Sequence, residues 1–169
     1  MSSNQRMTDY QKVKAFNDAF GLENKSELDS DVFDTDPKLV SFRMSLITEE
    51  VNELNDAVKD KDMVETIDAL ADIVYVVQGM AAALGIDLDR AFDIVHESNM
   101  SKLCRTEADA VETVRIYKEK YDNGNSPYDT PNYRKSADGQ YWVVFNTSTG
   151  KILKSYKYTP ANFSGMLNE

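Results

Sequence analysis

The sequence predicts an all-α bundle with a small β-hairpin near its C-terminus. Apolar residues recur at helical spacing through the first 121 residues, and a passage rich in Gly, Pro, Asn and Asp begins at Asp122. Residues 140–145 are then aromatic and β-branched, and a turn-like break at 147–150 precedes a second extended segment. We therefore expect an all-α domain over residues 1–121 and a loop with a hairpin over residues 122–169. A lone hairpin is marginally stable, so this extension should pack on the bundle or on a neighbouring subunit.

Helix boundaries follow from capping residues and from apolar spacing. Gly21 and Gly85 stand where a left-handed C-terminal cap is expected, Pro37 suits a first helical turn, and Asp87 suits an N-cap. The predicted helices span 9–20, 39–60, 63–84, 88 to about 103, and 107–121.

Composition limits the classes of partner. The 169 residues suit one core, and a net charge of −10 with a pI near 4.6 opposes general attraction to nucleic acid or to anionic membranes. The single cysteine, Cys104, cannot form an intramolecular disulfide, which predicts a reducing compartment, the cytoplasm. The polar residues 1–6 give no sign of a signal peptide.

The longest apolar run, residues 73–86, is a candidate for burial. It contains Gln78 and Gly79, and Asp68 and Asp72 precede it closely. We expect it to be too short and too acidic on its leading side to span a bilayer. A helix that is apolar nearly all round is usually buried, here at the centre of the bundle or at a subunit interface.

Two groups of carboxylates interrupt the apolar helices. They are Glu49, Glu50 and Glu53 in the first helix, and Glu65, Asp68 and Asp72 in the second. Spacings of three, four and seven residues place each group on one helix face, where like charges repel. Solvated faces near Lys59 and Lys61 would explain either group alone. The two groups together, among apolar neighbours, indicate a metal site.

Four segments carry a resemblance to a known family. They are Leu-Ile-Thr-Glu-Glu-Val-Asn-Glu-Leu at 46–54, Ile-Asp-Ala-Leu-Ala-Asp-Ile-Val-Tyr-Val-Val at 67–77, Leu-Gly-Ile-Asp at 84–87, and His-Glu-Ser-Asn-Met-Ser-Lys at 96–102. In this order they resemble the all-α nucleoside triphosphate pyrophosphatases, which include MazG proteins, dimeric dUTPases and phosphoribosyl-ATP pyrophosphohydrolases. The resemblance covers residues 9 to about 103. Glu-x-x-Glu alone is common, whereas the whole set is specific.

The resemblance implies a MazG-like helical bundle that hydrolyses the α–β phosphate bond of a nucleoside triphosphate. It implies catalytic roles for Glu50, Glu53 and Asp72, and substrate binding by Asn99 and Lys102. Metal ligands would come from Glu49, Glu50, Glu53, Asp68, Asp72 and Glu65. The expected cofactor is Mg²⁺, with Mn²⁺ as a substitute, since hard oxygen ligands suit both. A homodimer or homotetramer through the apolar helix is expected, with a pyrimidine deoxynucleotide or a noncanonical nucleotide as substrate.

One position departs from the family pattern. The second acidic motif of the family is Glu-x-x-Asp before an apolar run, which aligns its aspartate with Asp72 but its glutamate with Ala69. Asp68 is the favoured substitute, and Glu65 is the next.

Other classes were weighed against this interpretation. A non-catalytic nucleotide- or metal-binding relative stays open because Ala69 removes one acid, and a purely structural adaptor would be insensitive to metal. A di-iron bundle needs two Glu-x-x-His motifs, which the single histidine, His96, cannot supply. The Asp-x-Asp at 34–36 is not preceded by a strand, as a haloacid dehalogenase motif would be. We assign no role to His96, expect Cys104 to be inert, and expect Trp142 to pack rather than to stack on a base.

Overall fold

A computed structural model describes residues 6–167, so the expectation about a signal peptide falls almost wholly on residues outside this range. The helices are α1 Asp9–Phe20, α2 Val32–Thr35, α3 Pro37–Asp60, α4 Met63–Leu84, α5 Leu88–Met100 and α6 Glu107–Asp122. The strands are β1 Pro131–Lys135, β2 Trp142–Asn146 and β3 Ile152–Leu153, and a 3-10 turn spans Ser164–Met166. The chain forms two compact units: one runs to Phe92 and includes the segment from Phe163, and the other is Asp93–Asn162.

The first unit is built on the pair α3 and α4. The Asp36 side chain accepts a hydrogen bond from Leu39 N at 3.0 Å, and Pro37 occupies the first turn, which together start α3. Lys61 ends α3 with a φ of 58°, and the next residue, Asp62, caps α4. A connection this short makes consecutive helices antiparallel neighbours, and α3 packs along α4.

The loop after α1 holds the far end of α4. Backbone N–H groups of Lys25 and Asp29 donate to the carbonyls of Ala82 and Leu84, each at 3.0 Å. Gly85 has a φ of 71°, and a Cβ there would collide with the backbone of this loop. Glycine therefore both ends α4 and permits the loop to approach, which satisfies carbonyls that a helix end leaves free.

In the second unit, α6 packs against a three-stranded antiparallel sheet in the order β1-β2-β3. Pro131 pairs with Asn146 and Lys135 with Trp142, while Val144 pairs with Leu153. The core of this unit comprises Cys104, Ala110, Val114, Val144 and Leu153.

Helices α1 and α4 begin and end as the sequence predicts. Helix α3 starts two residues earlier, at Pro37, and α5 ends at Met100 rather than near residue 103. The short α2 was not predicted. It contains Asp34 and Thr35 of the Asp-x-Asp at 34–36, and Asp36 caps α3, so that motif follows no strand.

The predicted two-stranded hairpin is wrong in one respect. The passage from Asp122 to Gly139, expected to be a loop, contains β1, so the sheet has three strands. The division of the chain also differs from the predicted boundary at residue 121, because α6 packs with the sheet and belongs to the second unit.

Helix α4 is longer than the apolar run of residues 73–86 that was expected to be too short for a bilayer. By length and composition alone its 22 residues could cross a membrane, with a mean hydropathy of 1.5. The core helix of a water-soluble protein passes the same test, and 33% of the apolar window is buried in this fold.

Candidate active site

The carboxylates of α3 divide between two environments. Glu49 and Glu53 are exposed and line an open cleft of about 660 Å³ on the outer face of the helix. Glu50 is half-buried, and its Oε2 atom is enclosed without a hydrogen-bond partner. A buried carboxylate oxygen in this state costs free energy unless a cation or a donor reaches it.

Carboxylates of both acidic groups act on the pKa of Glu50. Burial first, and then the charges of Glu53, Asp72, Glu49 and Asp68, raise the pKa of the Glu50 carboxyl above its ordinary value. The two groups predicted from the sequence are thus close enough in space to act on one carboxyl. A bound cation would offset the repulsion among these charges.

On α4 the predicted acids differ in their position. Asp72 is half-buried, whereas Asp68 and Glu65 are exposed. Asp68 is among the main causes of the raised pKa of Glu50, whereas Glu65 is not. Ala69, where the family pattern has an acid, is buried with 4% of its surface exposed. Asp68 therefore has the stronger electrostatic effect on the Glu50 carboxyl of the two acids that could replace the one absent at Ala69.

The carboxylates of α3 and α4 have the donor chemistry for a metal ion but do not converge on one point. Within residues 6–167, no three Asp, Glu, His or Cys side chains converge to hold one ion as they stand. The main charges that act on Glu50, whose Oε2 has no partner, are nevertheless all carboxylates, and carboxylate oxygens without imidazole or thiolate suit Mg²⁺. The chemistry of these donors, though not their present convergence, fits a hard divalent cation.

Asn99 and Lys102 belong to the second unit. Asn99 is exposed at the end of α5, and the Lys102 Nζ donates to its Oδ1 at 2.6 Å. The hydroxyl of Tyr158 lies 3.5 Å from Ser98 Oγ, and the pKa of Tyr158 is lowered first by this hydrogen bond and then by Lys154 and Lys102. No sequence motif predicts this tyrosine near Lys102. It is brought there by hydrogen bonds from Ser155 N to Lys102 O and from Thr159 N to Ser101 Oγ, which join segments far apart in the chain.

Cys104 and Trp142 are structural in this fold, whereas His96 is at the surface. Cys104 is buried, with its sulfur 3.5 Å from Thr113 Oγ1. Trp142 is half-buried and packs edge-on against Tyr133, so the prediction that it packs is confirmed. His96 is exposed.

Sequence reasoning missed a buried arginine beside this site. Arg43 lies seven residues before Glu50 on α3, at a spacing that returns to the same helix face. Its burial, which no motif signals, appears only once α3 is packed on α4.

The fold and these carboxylates are those of an all-α nucleotide pyrophosphatase. A family model for phosphoribosyl-ATP pyrophosphohydrolase matches residues 13–99, just over half of the chain, including both carboxylate groups and Asn99. The chain belongs to this family, which is part of the MazG-like all-α nucleoside triphosphate pyrophosphatase superfamily. Membership indicates nucleotide pyrophosphohydrolase activity in general. Lys102 lies three residues beyond the matched segment.

One relative resembles the whole chain. It is an uncharacterized protein of Acanthamoeba polyphaga mimivirus, 28% identical over 98% of this chain and 98% of its own length. The likeness therefore extends past the matched family segment into the sheet of the second unit.

Proposed function

We propose that this protein is a Mg²⁺-dependent nucleoside triphosphate pyrophosphohydrolase. It would cleave the bond between the α and β phosphates of a ribo- or deoxyribonucleotide and give a monophosphate and pyrophosphate. The observation that carries the proposal is the enclosed Oε2 of Glu50, which has no partner and is surrounded by the charges of four further carboxylates. Family membership supplies the reaction class.

Each acid has a distinct part in this proposal. Glu50, Glu53 and Asp72 would hold the ion, with Asp68 and Glu49 beside them. Bound Mg²⁺ screens phosphate charge and lowers the pKa of a water. The half-buried position of Glu50 fixes its carboxylate, and the exposed Glu53 leaves the same region open to a ligand from the cleft on α3.

Substrate contacts are proposed for Asn99 and Lys102. The ammonium of Lys102 is a compact charge suited to a phosphate oxygen, and the Asn99 amide offers both a donor and an acceptor. Their mutual hydrogen bond at 2.6 Å holds the ammonium in place at the end of α5. A nucleotide would compete for that ammonium.

A homodimer, or a tetramer built from it, is proposed through α4. Met63, Ile67, Leu70 and Val74 follow one another at helical spacing and are all at least 48% exposed. A stripe of exposed apolar residues on this scale marks an interaction surface. In the family resemblance the apolar helix forms the subunit interface, and a second copy of this chain is the occupant that we propose.

The proposal is tested by pyrophosphate release from a panel of canonical and modified nucleoside triphosphates, with Mg²⁺ or with EDTA. Turnover should require the metal and should be abolished in Glu53→Ala and in Asp72→Ala. Asp60→Ala, an exposed acid at the end of α3, is the matched control and should keep full activity.

A non-catalytic nucleotide-binding relative is the second candidate. It is favoured by Ala69, which is buried where the family pattern has an acid. This candidate predicts Mg²⁺-dependent nucleotide binding by folded protein without turnover on any member of the panel.

A further inference from the structure

The side-chain polar atoms that are buried without a partner fall on one pair of helices. Within residues 6–167 they are Arg43 Nε, Glu50 Oε2 and Gln78 Oε1. The first two are on α3 and the third is on α4, which packs along it. Buried polar groups almost always have partners, so three exceptions on one helix pair indicate a surface made for a ligand.

Arg43 is the most unusual of the three. Its side chain is buried, with 9% of the residue exposed, and it makes no hydrogen bond or ion pair with any described residue. Its guanidinium carbon lies 5.9 Å from the ring centroid of the neighbouring Phe42, a contact that does not use its hydrogen-bond donors. Glu23 acts on it electrostatically without forming an ion pair. A structural arginine at this depth is normally paired, because an uncompensated buried charge is costly.

The opposite helix is shaped around this guanidinium. A Cβ at Gly79 would lie 3.2 Å from Arg43 Nη1 and 3.9 Å from Val13 Cγ1, so the absence of a side chain leaves room for the charged group. Only Nε is fully enclosed. Nη1 and Nη2 are not among the enclosed atoms, and their planar fork is the part that a ligand would contact.

The position relative to the carboxylates is set by helix geometry. Arg43 precedes Glu50 by seven residues and Gly79 follows Asp72 by seven, as an antiparallel pair requires. Seven residues rise about 10.5 Å, so the cation lies roughly two turns from the acids on the same helix face. An anionic ligand held at the carboxylates can therefore extend along the helix pair towards Arg43.

We propose that Arg43 binds the terminal phosphate of the substrate, which leaves together with the β phosphate as pyrophosphate. This inference rests on the proposed hydrolysis and adds a specificity residue to it. The guanidinium has donors only, in a planar fork that matches two phosphate oxygens. A nucleobase or a sugar would leave its charge unpaired, whereas a phosphate neutralises it.

The test measures the binding of inorganic pyrophosphate and of a nucleoside monophosphate by calorimetry in Mg²⁺, together with thermal melting. In Arg43→Met the affinity for pyrophosphate should fall about 10–100-fold, as expected when a charge-assisted hydrogen-bonded pair is lost. The affinity for the monophosphate should stay within about twofold, since its phosphate lies at the carboxylates. Lys38→Met, an exposed cation on the same helix, controls for net charge.

Melting separates this role from a structural one. Replacing an unpaired buried charge by an apolar side chain should leave the melting temperature unchanged or raise it. Arg43→Lys keeps the charge without the fork and should bind pyrophosphate with intermediate affinity.

Several results would overturn the inference. They are no measurable pyrophosphate binding by the wild type, unchanged pyrophosphate affinity in Arg43→Met or Arg43→Lys, a loss confined to the monophosphate, or failure of Arg43→Met to fold. Wild-type turnover with any of these results refutes the role of Arg43 and leaves the proposed function standing. Pyrophosphate binding that depends on Arg43, without turnover of any triphosphate, refutes the proposed hydrolysis and leaves Arg43 as a phosphate-binding residue.

Discussion

Glu50 on α3 and Asp72 on α4 interact unfavourably across the helix pair. Burial of Glu50 is the larger cause of its raised pKa, and the charges of Glu53 and Asp72 add to it. The fold thus keeps like charges together near a carboxylate oxygen that has no partner. Arrangements of this kind reduce stability and are typical of functional sites.

Glu50→Gln should stabilise the metal-free protein. A raised pKa means that folding favours the protonated form of the Glu50 carboxyl. The stabilisation from this protonation is complete below the ordinary pKa of glutamate and is lost as pH rises through the pKa of Glu50 in the folded state. Glutamine stays neutral throughout. In EDTA at pH 7 we expect this variant to melt about 2–4 °C above the wild type, a difference of roughly 1 kcal/mol.

The controls for this variant are pH, metal and a neighbouring acid. The difference in melting temperature should vanish near pH 4, which is about the ordinary glutamate pKa. Mg²⁺ should raise the melting temperature of the wild type but not that of Glu50→Gln, and the exposed Glu49→Gln should differ little in EDTA. A lower melting temperature for Glu50→Gln in EDTA at pH 7 would contradict the proposed charge repulsion.

Asp68→Asn and Glu65→Gln form a matched pair that tests which acid substitutes for the one absent at Ala69. Both side chains are exposed on α4, but of the two only Asp68 is among the main causes of the raised pKa of Glu50. We expect Asp68→Asn to reduce kcat/KM by about 10–100-fold, as for residues that support a metal site, and Glu65→Gln to keep it within about threefold. Steady-state kinetics at several Mg²⁺ concentrations would decide, and equal losses in the two variants would rule out this assignment.

Lys157 should stabilise the second unit through Asp109. Its Nζ lies 2.6 Å from Asp109 Oδ1, and this hydrogen bond is the main cause of the lowered pKa of Asp109, a residue with 8% of its surface exposed. Because the pKa of Asp109 is lowered, its ion pair with Lys157 stabilises the fold at pH above the ordinary pKa of aspartate. This stabilisation is lost as pH falls through the pKa of Asp109 in the folded state. Lys157→Met should therefore melt below the wild type at pH 7, by a difference that shrinks at acid pH.

Melting curves from pH 7 to pH 2.5 would check this dependence. The exposed Lys151→Met removes the same charge from the same segment without an acidic partner, and it should show no such trend. A difference for Lys157→Met that is constant with pH would mean that packing, rather than the ion pair, is responsible.

Ile67→Asp should dissociate the proposed dimer. Ile67 is 62% exposed at the middle of the apolar stripe of α4, where a charge would be buried on association. Light scattering coupled to size-exclusion chromatography should give a dimer or tetramer for the wild type and a monomer for the variant. Val111→Asp, at an exposed apolar position on α6, should leave the mass unchanged, and a wild-type monomer at micromolar concentration would refute the interface.

Helix ends were predictable because local chemistry determines them. Asp62 and Gly85 set both ends of α4 through a side-chain cap and a left-handed residue, and both signals are visible in the sequence. Strand β1 was not predictable in the same way. It begins at Pro131 and is otherwise polar, and it exists because it pairs with β2, an interaction that local propensity does not encode.

The candidate site was predictable in its acids but not in its environment. Spacing and resemblance identified Glu50 and Asp72, and the structure adds that Glu50 carries an enclosed oxygen. The burial of Arg43 depends on its packing against Gly79 from a different helix. Single-sequence periodicity gives the face of a residue, whereas the depth of its burial is set by what packs on that face.

Identifying which phosphate bond is cleaved would test the proposed α–β hydrolysis. Products from the preferred nucleoside triphosphate, formed with Mg²⁺ in ¹⁸O-labelled water, would be identified by ³¹P NMR. We expect a nucleoside monophosphate and pyrophosphate as the only products, with none formed by Asp72→Ala. A nucleoside diphosphate with inorganic phosphate, or no product from any nucleotide by folded and metal-loaded protein, would contradict it.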